Sequence, residues 1–353
     1  MRKSIAAAAI VTILVAGGGV ACATGAFDTW SDSRALADGC GGMVDASVMK
    51  RTLGAERVSG KQLGDLGCRA YDPDGRASVT VTVERGPRPA SVVQHARQIL
   101  SKDPESLLVP VGGGWPALVT AAGGGESYAT ALLPCGTQKP GLQKAAGDSL
   151  VLGLTAVQAE SGGRIQQRRE ATAELVTRAL EQAAAKHGCA LPDVGEPKVS
   201  SGAFEVLKEP GATTGTCRNT GVAGYEAPAD AAAPVEQCVL ADPGGARTHR
   251  LAAYYGPYPD APRRDPSRSP DDYRGTSGAN GPTSWTTASC PSGEALFTST
   301  ALLPRPIGSD EARRAFRAFA VESARRYGCG APHALKSDEP HEPTSGRGGG
   351  GAR

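Results

Sequence analysis

The sequence predicts an α+β protein made of two tandem, divergent repeats, each a mostly antiparallel sheet with a C-terminal helix packed on it and two disulfides. The 353-residue chain has nine cysteines, and eight of them fall into two sets of four. The sets end alike, on Gly188-Cys189-Ala190-Leu191-Pro192 and on Gly328-Cys329-Gly330-Ala331-Pro332. A helix-like run precedes each ending, and strand-like stretches lie upstream of it.

The chain is expected to divide into four segments. These are a signal or anchor segment at 1–27, a first repeat domain at 35–192, a second repeat domain at 202–334, and a disordered tail at 335–353. Domains of this length lie in the common size range. The tail is expected to be disordered because it is rich in Gly, Pro and polar residues.

The N-terminal segment predicts targeting to a membrane. Arg2 and Lys3 come first, and no charged residue occurs from Ser4 to Phe27. Three fates fit this segment. It can be cleaved after Ala23, it can carry a lipid on Cys22, or it can stay as an uncleaved anchor, since a span needs about 20 apolar residues. Each fate places the rest of the chain outside the cytoplasm, either membrane-anchored or secreted.

The eight remaining cysteines are an even number, as expected for disulfides in such a compartment. They lack the close spacing of zinc ligands, and the five histidines show no ligand spacing within a helix, so neither a metal nor a cofactor is predicted. Pairing inside each half leaves three connectivities per half. The repeat favours Cys40–Cys68, Cys135–Cys189, Cys217–Cys238 and Cys290–Cys329.

The first half has clear helix and strand signals. Asp45 is expected to cap a short helix that runs to Leu53 and stops at Gly54. The segment from Ser78 to Val83 alternates with period two, as a half-buried strand does. The other predicted elements are a helix at Ala90–Lys102, a hairpin of Ala117–Ala122 and Ser127–Leu133, a strand at Leu150–Val157, and a long helix at Ile165–His187.

The second half is expected to repeat this outline with losses. A strand at Leu251–Tyr255 matches the earlier one, but the helix expected next is replaced by Pro257–Pro282, which predicts a long exposed loop. Strands follow at Ser284–Ser289 and Ala295–Leu302. The last helix is capped by Ser309 and is ended by Gly328.

The opening of the first half resembles a group of actinobacterial envelope lipoproteins classed as a family of unknown function. The resemblance covers roughly residues 40–85 and consists of Cys40-Gly41-Gly42-Met43-Val44, Val48, Thr52-Leu53-Gly54, and Cys68 followed by a turn and a strand. The second half departs from it at Cys217-Arg218-Asn219. The resemblance implies a non-cytoplasmic, membrane-associated α+β module with two disulfides and no assigned chemistry.

Ser149 is the main candidate for catalysis. It lies in Gly147-Asp148-Ser149-Leu150, which has the letters of the GDSL esterase motif, and Asp338 and His341 have the Asp-x-x-His spacing of such enzymes. A nucleophilic serine needs a histidine within hydrogen-bond reach. In those esterases the serine follows a strand and opens a helix, whereas here a strand follows Ser149. A turn before a strand is therefore favoured, and no catalytic residue is predicted.

The last helix carries the main cluster of basic side chains, which are Arg313, Arg314, Arg317, Arg325 and Arg326. A solvated helix face is the default interpretation of such a cluster. The functional alternative is contact with an anionic envelope component, either phospholipid or wall polymer. The net charge of the whole chain is only +2, which gives no general electrostatic case for nucleic acid.

The predicted function is a non-catalytic, membrane-associated extracytoplasmic binding or accessory protein of the cell envelope, whose protein partner is unknown. Two alternatives stay open. One is a secreted serine hydrolase that uses Ser149, and the other is a carrier that holds an apolar ligand between sheet and helices. The first hypothesis is favoured because the scaffold is duplicated while no polar cluster is.

Overall fold

The computed structural model of the chain describes residues 26–65, 67–101, 107–121, 124–135, 148–158, 165–200, 206–266, 272–302 and 309–335. These residues form two antiparallel sheets, of seven and six strands, with helices packed on them. The predicted α+β class, with two disulfides in each half, is confirmed. The predicted targeting segment, up to residue 25, and the predicted tail, from residue 336, lie outside the described residues.

The first half builds the seven-stranded sheet. Its strands lie in the order β1-β2-β3-β7-β6-β5-β4, and the long helix α4 packs on one face against β5, β6 and β7. In chain order the elements are α1 (Ala26–Cys40), α2 (Ala46–Leu53), β1 (Ser59–Leu63), β2 (Gly67–Tyr71), β3 (Ser78–Gly86), α3 (Ser91–Ser101), β4 (Val109–Pro110), β5 (Ala117–Ala121), β6 (Glu126–Pro134), β7 (Ser149–Val157) and α4 (Ile165–His187).

The second half builds the six-stranded sheet, with strand order β11-β12-β13-β10-β9-β8. Its C-terminal helix α6 packs on β10, β12 and β13. In chain order the elements are β8 (Gly224–Glu226), β9 (Val235–Ala241), β10 (Arg247–Tyr254), α5 (Asp260–Arg263), β11 (Ser277–Asn280), β12 (Thr283–Cys290), β13 (Gly293–Ala301) and α6 (Ser309–Arg326).

The two sheets have the same strand order once the extra edge strand β4 is set aside. The sequence β1-β2-β3-β7-β6-β5 corresponds to β8-β9-β10-β13-β12-β11. Cys68 on β2 corresponds to Cys238 on β9, and Cys135 after β6 corresponds to Cys290 at the end of β12. The four disulfides join the pairs that the repeat favours. This topology is consistent with tandem repeats.

The predicted boundaries of α2 are confirmed by its capping. Asp45 Oδ1 accepts hydrogen bonds from the backbone N–H groups of Ser47 at 2.8 Å and Val48 at 3.1 Å. The bonds from Ser47 lower the pKa of Asp45, as does the bond from Val48. Gly54 ends the helix with φ of 66°, a left-handed conformation that glycine adopts without a steric penalty.

Pro257–Pro282 and the N-terminal helix α1 both differ from the sequence prediction. Pro257–Pro282 is not one long exposed loop, because α5 and β11 form within it and the side chains of Tyr258 and Tyr273 are buried. Composition misled the prediction, since two aromatic side chains are enough to fix a Pro-rich segment onto a core. Helix α1 was also not predicted, and it packs against β1 and β2.

A shared core joins the two halves. Leu132 and Val151, on the face of the first sheet opposite α4, belong to one buried cluster with residues of the second half. Leu108 donates its backbone N–H to Gln237 Oε1 at 3.1 Å, and the hydroxyls of Thr130 and Tyr258 are hydrogen-bonded. The corresponding helices α3 and α5 pack against each other at this boundary. The two halves therefore form one body.

Candidate functional site

A cleft of about 830 Å³ lies where the C-terminal end of α2, the turn between β2 and β3, and the first turns of α4 meet. Four guanidinium and three carboxylate groups line it, and two of the guanidinium groups are paired with carboxylates outside the lining. The charged lining residues are Arg51, Arg57, Arg76, Arg168, Glu56, Asp72 and Asp74. Gln158 and Gln167 add amide groups, so the wall is rich in hydrogen-bonding partners.

Ion pairs fix the two arginines that α2 and its following loop bring to the cleft. Arg51 Nη2 lies 2.6 Å from Glu174 Oε1 on α4. Arg57 Nε donates to Asp32 Oδ1 on α1 at 2.9 Å, and Lys50 Nζ reaches the other oxygen of Asp32 at 2.6 Å. Burial alone would raise the pKa of Asp32, but the bonds from Lys50 and Arg57 hold it below its ordinary value.

The opposite wall depends on the turn after β2. Asp72 Oδ1 accepts the backbone N–H of Asp74 at 3.1 Å, and Asp72 O accepts that of Gly75 at 2.7 Å. This turn has the letters Asp-Pro-Asp-Gly, which are typical of turns, and it places the exposed Arg76 at the cleft. Arg168, on α4, also lines the cleft, although it is only 3% exposed.

The cleft's lining residues include no serine, cysteine or histidine. Its groups therefore offer charge recognition and hydrogen bonding, and guanidinium groups in particular match the geometry of phosphate and carboxylate oxygens. The carboxylates in the same wall suit a ligand that also carries hydroxyl or cationic groups. None of the cleft residues was proposed as a site from the sequence, because they come from four separate segments of the chain.

The structure places Ser149 as the first residue of β7, where it is 1% exposed. Its hydroxyl has no hydrogen-bond partner within the described part of the chain. Asp338 and His341, its suggested partners, lie outside that part. A strand follows Ser149, as the sequence predicts, so the serine is not held on a strand-to-helix turn.

The basic cluster on the last helix is smaller than predicted. Arg313, Arg314 and Arg317 are exposed on α6. Arg326 does not belong to that surface, because its side chain is 15% exposed and pairs with buried Glu236 at 2.6 Å. Arg325 pairs with Glu322 at 2.6 Å one turn away. Helical spacing alone did not show which arginines face the sheet.

Glu236 is the centre of a buried polar network that the sequence analysis missed. Arg326 Nη1 donates to both of its carboxylate oxygens, and the Ser323 hydroxyl also donates to it. Burial raises the pKa of Glu236, and Arg326 opposes that rise. Tyr255 is hydrogen-bonded to Ser323 and stacks on Tyr327, with ring centroids 3.6 Å apart. The sequence signal was a single acid inside the apolar strand β9.

Glu226 forms a second buried polar centre. It accepts the backbone N–H groups of Thr214 at 2.9 Å and Gly215 at 2.8 Å, and Lys208 Nζ lies 2.7 Å away. Burial would raise its pKa, but these hydrogen bonds lower it below the ordinary value. This carboxylate organises the loop before β8, where Cys217 donates its N–H to the same group.

His95 is buried on α3 against the first sheet. Its Nε2 lies 2.7 Å from the Thr82 hydroxyl, and a Cβ on Gly153 would come within 1.9 Å of the ring. Burial lowers the pKa of His95 to about 4, so the ring is neutral at physiological pH. The glycine in β7 makes the space that the ring occupies.

Across the described residues, no group of three or more His, Cys, Asp or Glu side chains is arranged to hold a metal ion. Among the described helices, none has the length and apolar character needed to cross a bilayer.

Comparison with known proteins assigns no family. No family model matches the chain, and no curated protein matches it. Among solved structures, the crystal structure of DynU16, from the dynemicin biosynthetic locus, matches with a TM-score of 0.14 and 11% identity. The match covers 80% of this chain and 91% of that one. A TM-score this low supports no inference about fold or function.

Proposed function

We propose that this protein is a non-catalytic binding or accessory protein of the cell envelope, and that the cleft between α2, the β2–β3 turn and α4 binds a polar ligand with anionic groups. The N-terminal segment would keep it at the outer face of the membrane. Four disulfides support the compartment, because such bridges persist in oxidising surroundings.

The cleft is the observation that carries this proposal. Its volume of about 830 Å³ is in the range of ordinary ligand sites. Arg57 is held in place by the buried carboxylate of Asp32, so little of its side-chain entropy is lost when a ligand binds it. Anionic phospholipid headgroups and anionic wall polymers both carry phosphate groups that arginine recognises well.

Binding of a short poly(glycerol phosphate) to the purified protein, measured by calorimetry, tests the proposal. Arg76→Ala removes a guanidinium group from the cleft without disturbing the fold, because the side chain is exposed on a turn. We expect binding to be about 10- to 100-fold weaker, as one charge-assisted hydrogen bond is worth about 1.5–3 kcal/mol. Arg88→Ala, at another exposed arginine outside the cleft, is the matched control. Equal binding by the two variants would locate the ligand elsewhere.

The exposed arginines of α6 are a second candidate surface for the same class of ligand. Arg313, Arg314 and Arg317 lie on the outer side of the helix, away from the sheet. A charge reversal, Arg317→Glu, in the same calorimetric experiment separates the two surfaces. Weaker binding by that variant, with full binding by Arg76→Ala, would favour α6 over the cleft.

A further inference from the structure

We propose that the first turns of α1 form a membrane-docking surface, in which the Trp30 ring and the Arg34 guanidinium sit in the headgroup layer of the bilayer. The occupant of this surface is the lipid interface itself. The inference rests on the proposed membrane association and adds to it a fixed contact between the folded body and the bilayer.

Trp30 differs from the other two tryptophans of the chain. It is 57% exposed, whereas Trp115 and Trp285 are 3% and 5% exposed. The Arg34 guanidinium carbon lies 5.6 Å from the centre of the Trp30 ring. A large amphipathic ring exposed beside a cation is well suited to the boundary between lipid tails and water.

The position of Trp30 along the chain points to the lipid surface. The uncharged run ends at Phe27, and α1 begins at Ala26. Trp30 therefore lies about 5 Å further along the helix axis, at 1.5 Å per residue. Each headgroup layer is about 6 Å thick. If the uncharged run occupies the hydrocarbon, the Trp30 ring falls within the headgroup layer.

Helix α1 is fixed to the folded body. Asp32 is buried and held by Lys50 and Arg57, and Leu36 is part of the core. Gly39 lies so close to Gly60 that a Cβ on it would come within 2.2 Å of a backbone carbon. Contact between Trp30 and lipid would therefore fix the orientation of the whole body, not only that of a tether.

The charges near Trp30 are compatible with a phospholipid surface. The nearest acid towards the N-terminus, Asp28, is paired with Arg57 at 3.1 Å, so its charge is already compensated. Arg57 also lines the cleft, so the same contacts bring the cleft close to the membrane. Arg34 adds a positive group that anionic lipids would favour.

Tryptophan fluorescence of the full chain reconstituted in vesicles tests this inference. The vesicles contain phosphatidylcholine and phosphatidylglycerol with brominated acyl chains, and the spectrum of Trp30→Phe is subtracted to isolate Trp30. We expect bromine to quench the Trp30 signal and its maximum to lie at shorter wavelength, while acrylamide in the water quenches it weakly. A matched control is Val321→Trp in the Trp30→Phe background, since Val321 is 50% exposed on α6.

The control tryptophan on α6 is expected to be quenched by acrylamide and not by bromine. If the protein floats with the vesicles but Trp30 behaves like this control, the docking surface is wrong while membrane association stands. If the protein does not float with the vesicles, membrane association itself fails, and the docking surface with it. Quenching of Trp30 by bromine supports both.

Discussion

At the scale of single residues, His95 is the clearest case of a side chain whose chemistry is set by its surroundings. It is buried between α3 and the first sheet, where the Thr82 hydroxyl meets its Nε2 and Gly153 makes room for the ring. Burial lowers its pKa to about 4, and the nearby Glu84 opposes that change only in part. The neutral ring is the form that stabilises the fold.

The stability of the protein is expected to depend on pH through His95. Between its ordinary pKa of 6.5 and about 4, the unfolded chain binds a proton that the folded chain does not. The free energy of unfolding that the neutral ring contributes is therefore fully present above pH 6.5. About 3 kcal/mol of it is lost as the pH falls to 4. His95→Gln, which cannot titrate, should lose less stability over this range in urea unfolding. Equal losses in the two proteins would contradict the assignment.

The space for the His95 ring depends on the absence of a side chain at Gly153. A methyl group there would come within 1.9 Å of the ring and force it to move. We expect Gly153→Ala to lower the free energy of unfolding by about 1–3 kcal/mol. Gly86→Ala, in the adjacent strand where a Cβ meets nothing within 4 Å, is the control for chemical denaturation. Similar effects of both changes would mean that the loss in free energy of unfolding comes from strand propensity and not from a clash with the ring.

At the scale of elements, α6 is fastened to its sheet by charge as well as by apolar packing. The helix buries Phe316 and Phe319 on the sheet, and its last turn contributes Arg326 to the buried Glu236. A buried ion pair adds little stability compared with apolar residues of similar size, but the loss of one partner leaves an uncompensated charge. The ion pair therefore determines the orientation of α6 on the sheet more than it adds to the free energy of unfolding.

Removal of Arg326 alone is expected to destabilise the protein more than removal of both charges of the pair. We expect Arg326→Met to lower the free energy of unfolding by about 3 kcal/mol, and Glu236→Gln with Arg326→Met to restore part of it. Arg325→Ala, at the exposed neighbour, should change stability by less than about 1 kcal/mol. Urea unfolding of these variants measures their relative stabilities and so checks this ranking. A double variant less stable than Arg326→Met alone would refute this account.

One of the four disulfides is less well covered by the protein than the other three. Cys290 and Cys329 are half-buried, whereas the cysteines of the other three bridges are all buried. Reduction needs access of a thiolate or phosphine to sulfur. Under limited reduction of the native protein, we expect Cys290 and Cys329 to be alkylated first, as measured by peptide mass spectrometry. Earlier labelling of the Cys135–Cys189 bridge would show that local opening, not burial, controls access.

At the scale of the whole molecule, the two halves are not independent units. Leu118, Leu132 and Val151 of the first sheet share a buried cluster with the aromatic core of the second half. The hydrogen bonds from Leu108 to Gln237 and between Thr130 and Tyr258 lie in the same boundary. Each sheet therefore has its C-terminal helix on one face and the other half of the protein on the opposite face.

This shared core predicts one cooperative unfolding transition. Leu132→Ala should destabilise the whole protein by about 2–5 kcal/mol, because it opens a cavity between the halves. Calorimetry should show a single shifted peak whose calorimetric and van't Hoff enthalpies agree. Val206→Ala, at an exposed position, should leave the peak in place. Two peaks, with only one shifted by Leu132→Ala, would mean that the halves unfold separately.

The features predicted correctly are those with strong local signals. Asp45 and Gly54 mark the ends of α2, and period-two alternation marks β3, because caps and strand patterns act over a few neighbouring residues. Among the strands that were not predicted, β1 is polar and β4 is only two residues long. Edge strands of this kind are stabilised by pairing with the neighbouring strand, so their own residues show only a weak strand pattern.

The candidate cleft could not be predicted for a related reason. Arg57, Arg76 and Arg168 are ordinary surface arginines in the sequence, and only the packing of α2, a turn and α4 brings them together. The buried pair of Glu236 and Arg326 likewise joins residues from β9 and α6. Long-range pairs of this type depend on which faces of two elements meet.

By itself, the sequence determined the class of the fold and the boundaries of several helices and strands, and its repeated cysteine pattern favoured the four pairs that the structure joins. These follow from local chemistry, namely caps, alternation and a duplicated cysteine pattern. The tertiary structure decided which arginines face solvent, that Pro257–Pro282 packs onto a core, and that the two halves share that core. Those outcomes depend on contacts between distant segments, where burial can outweigh any local preference.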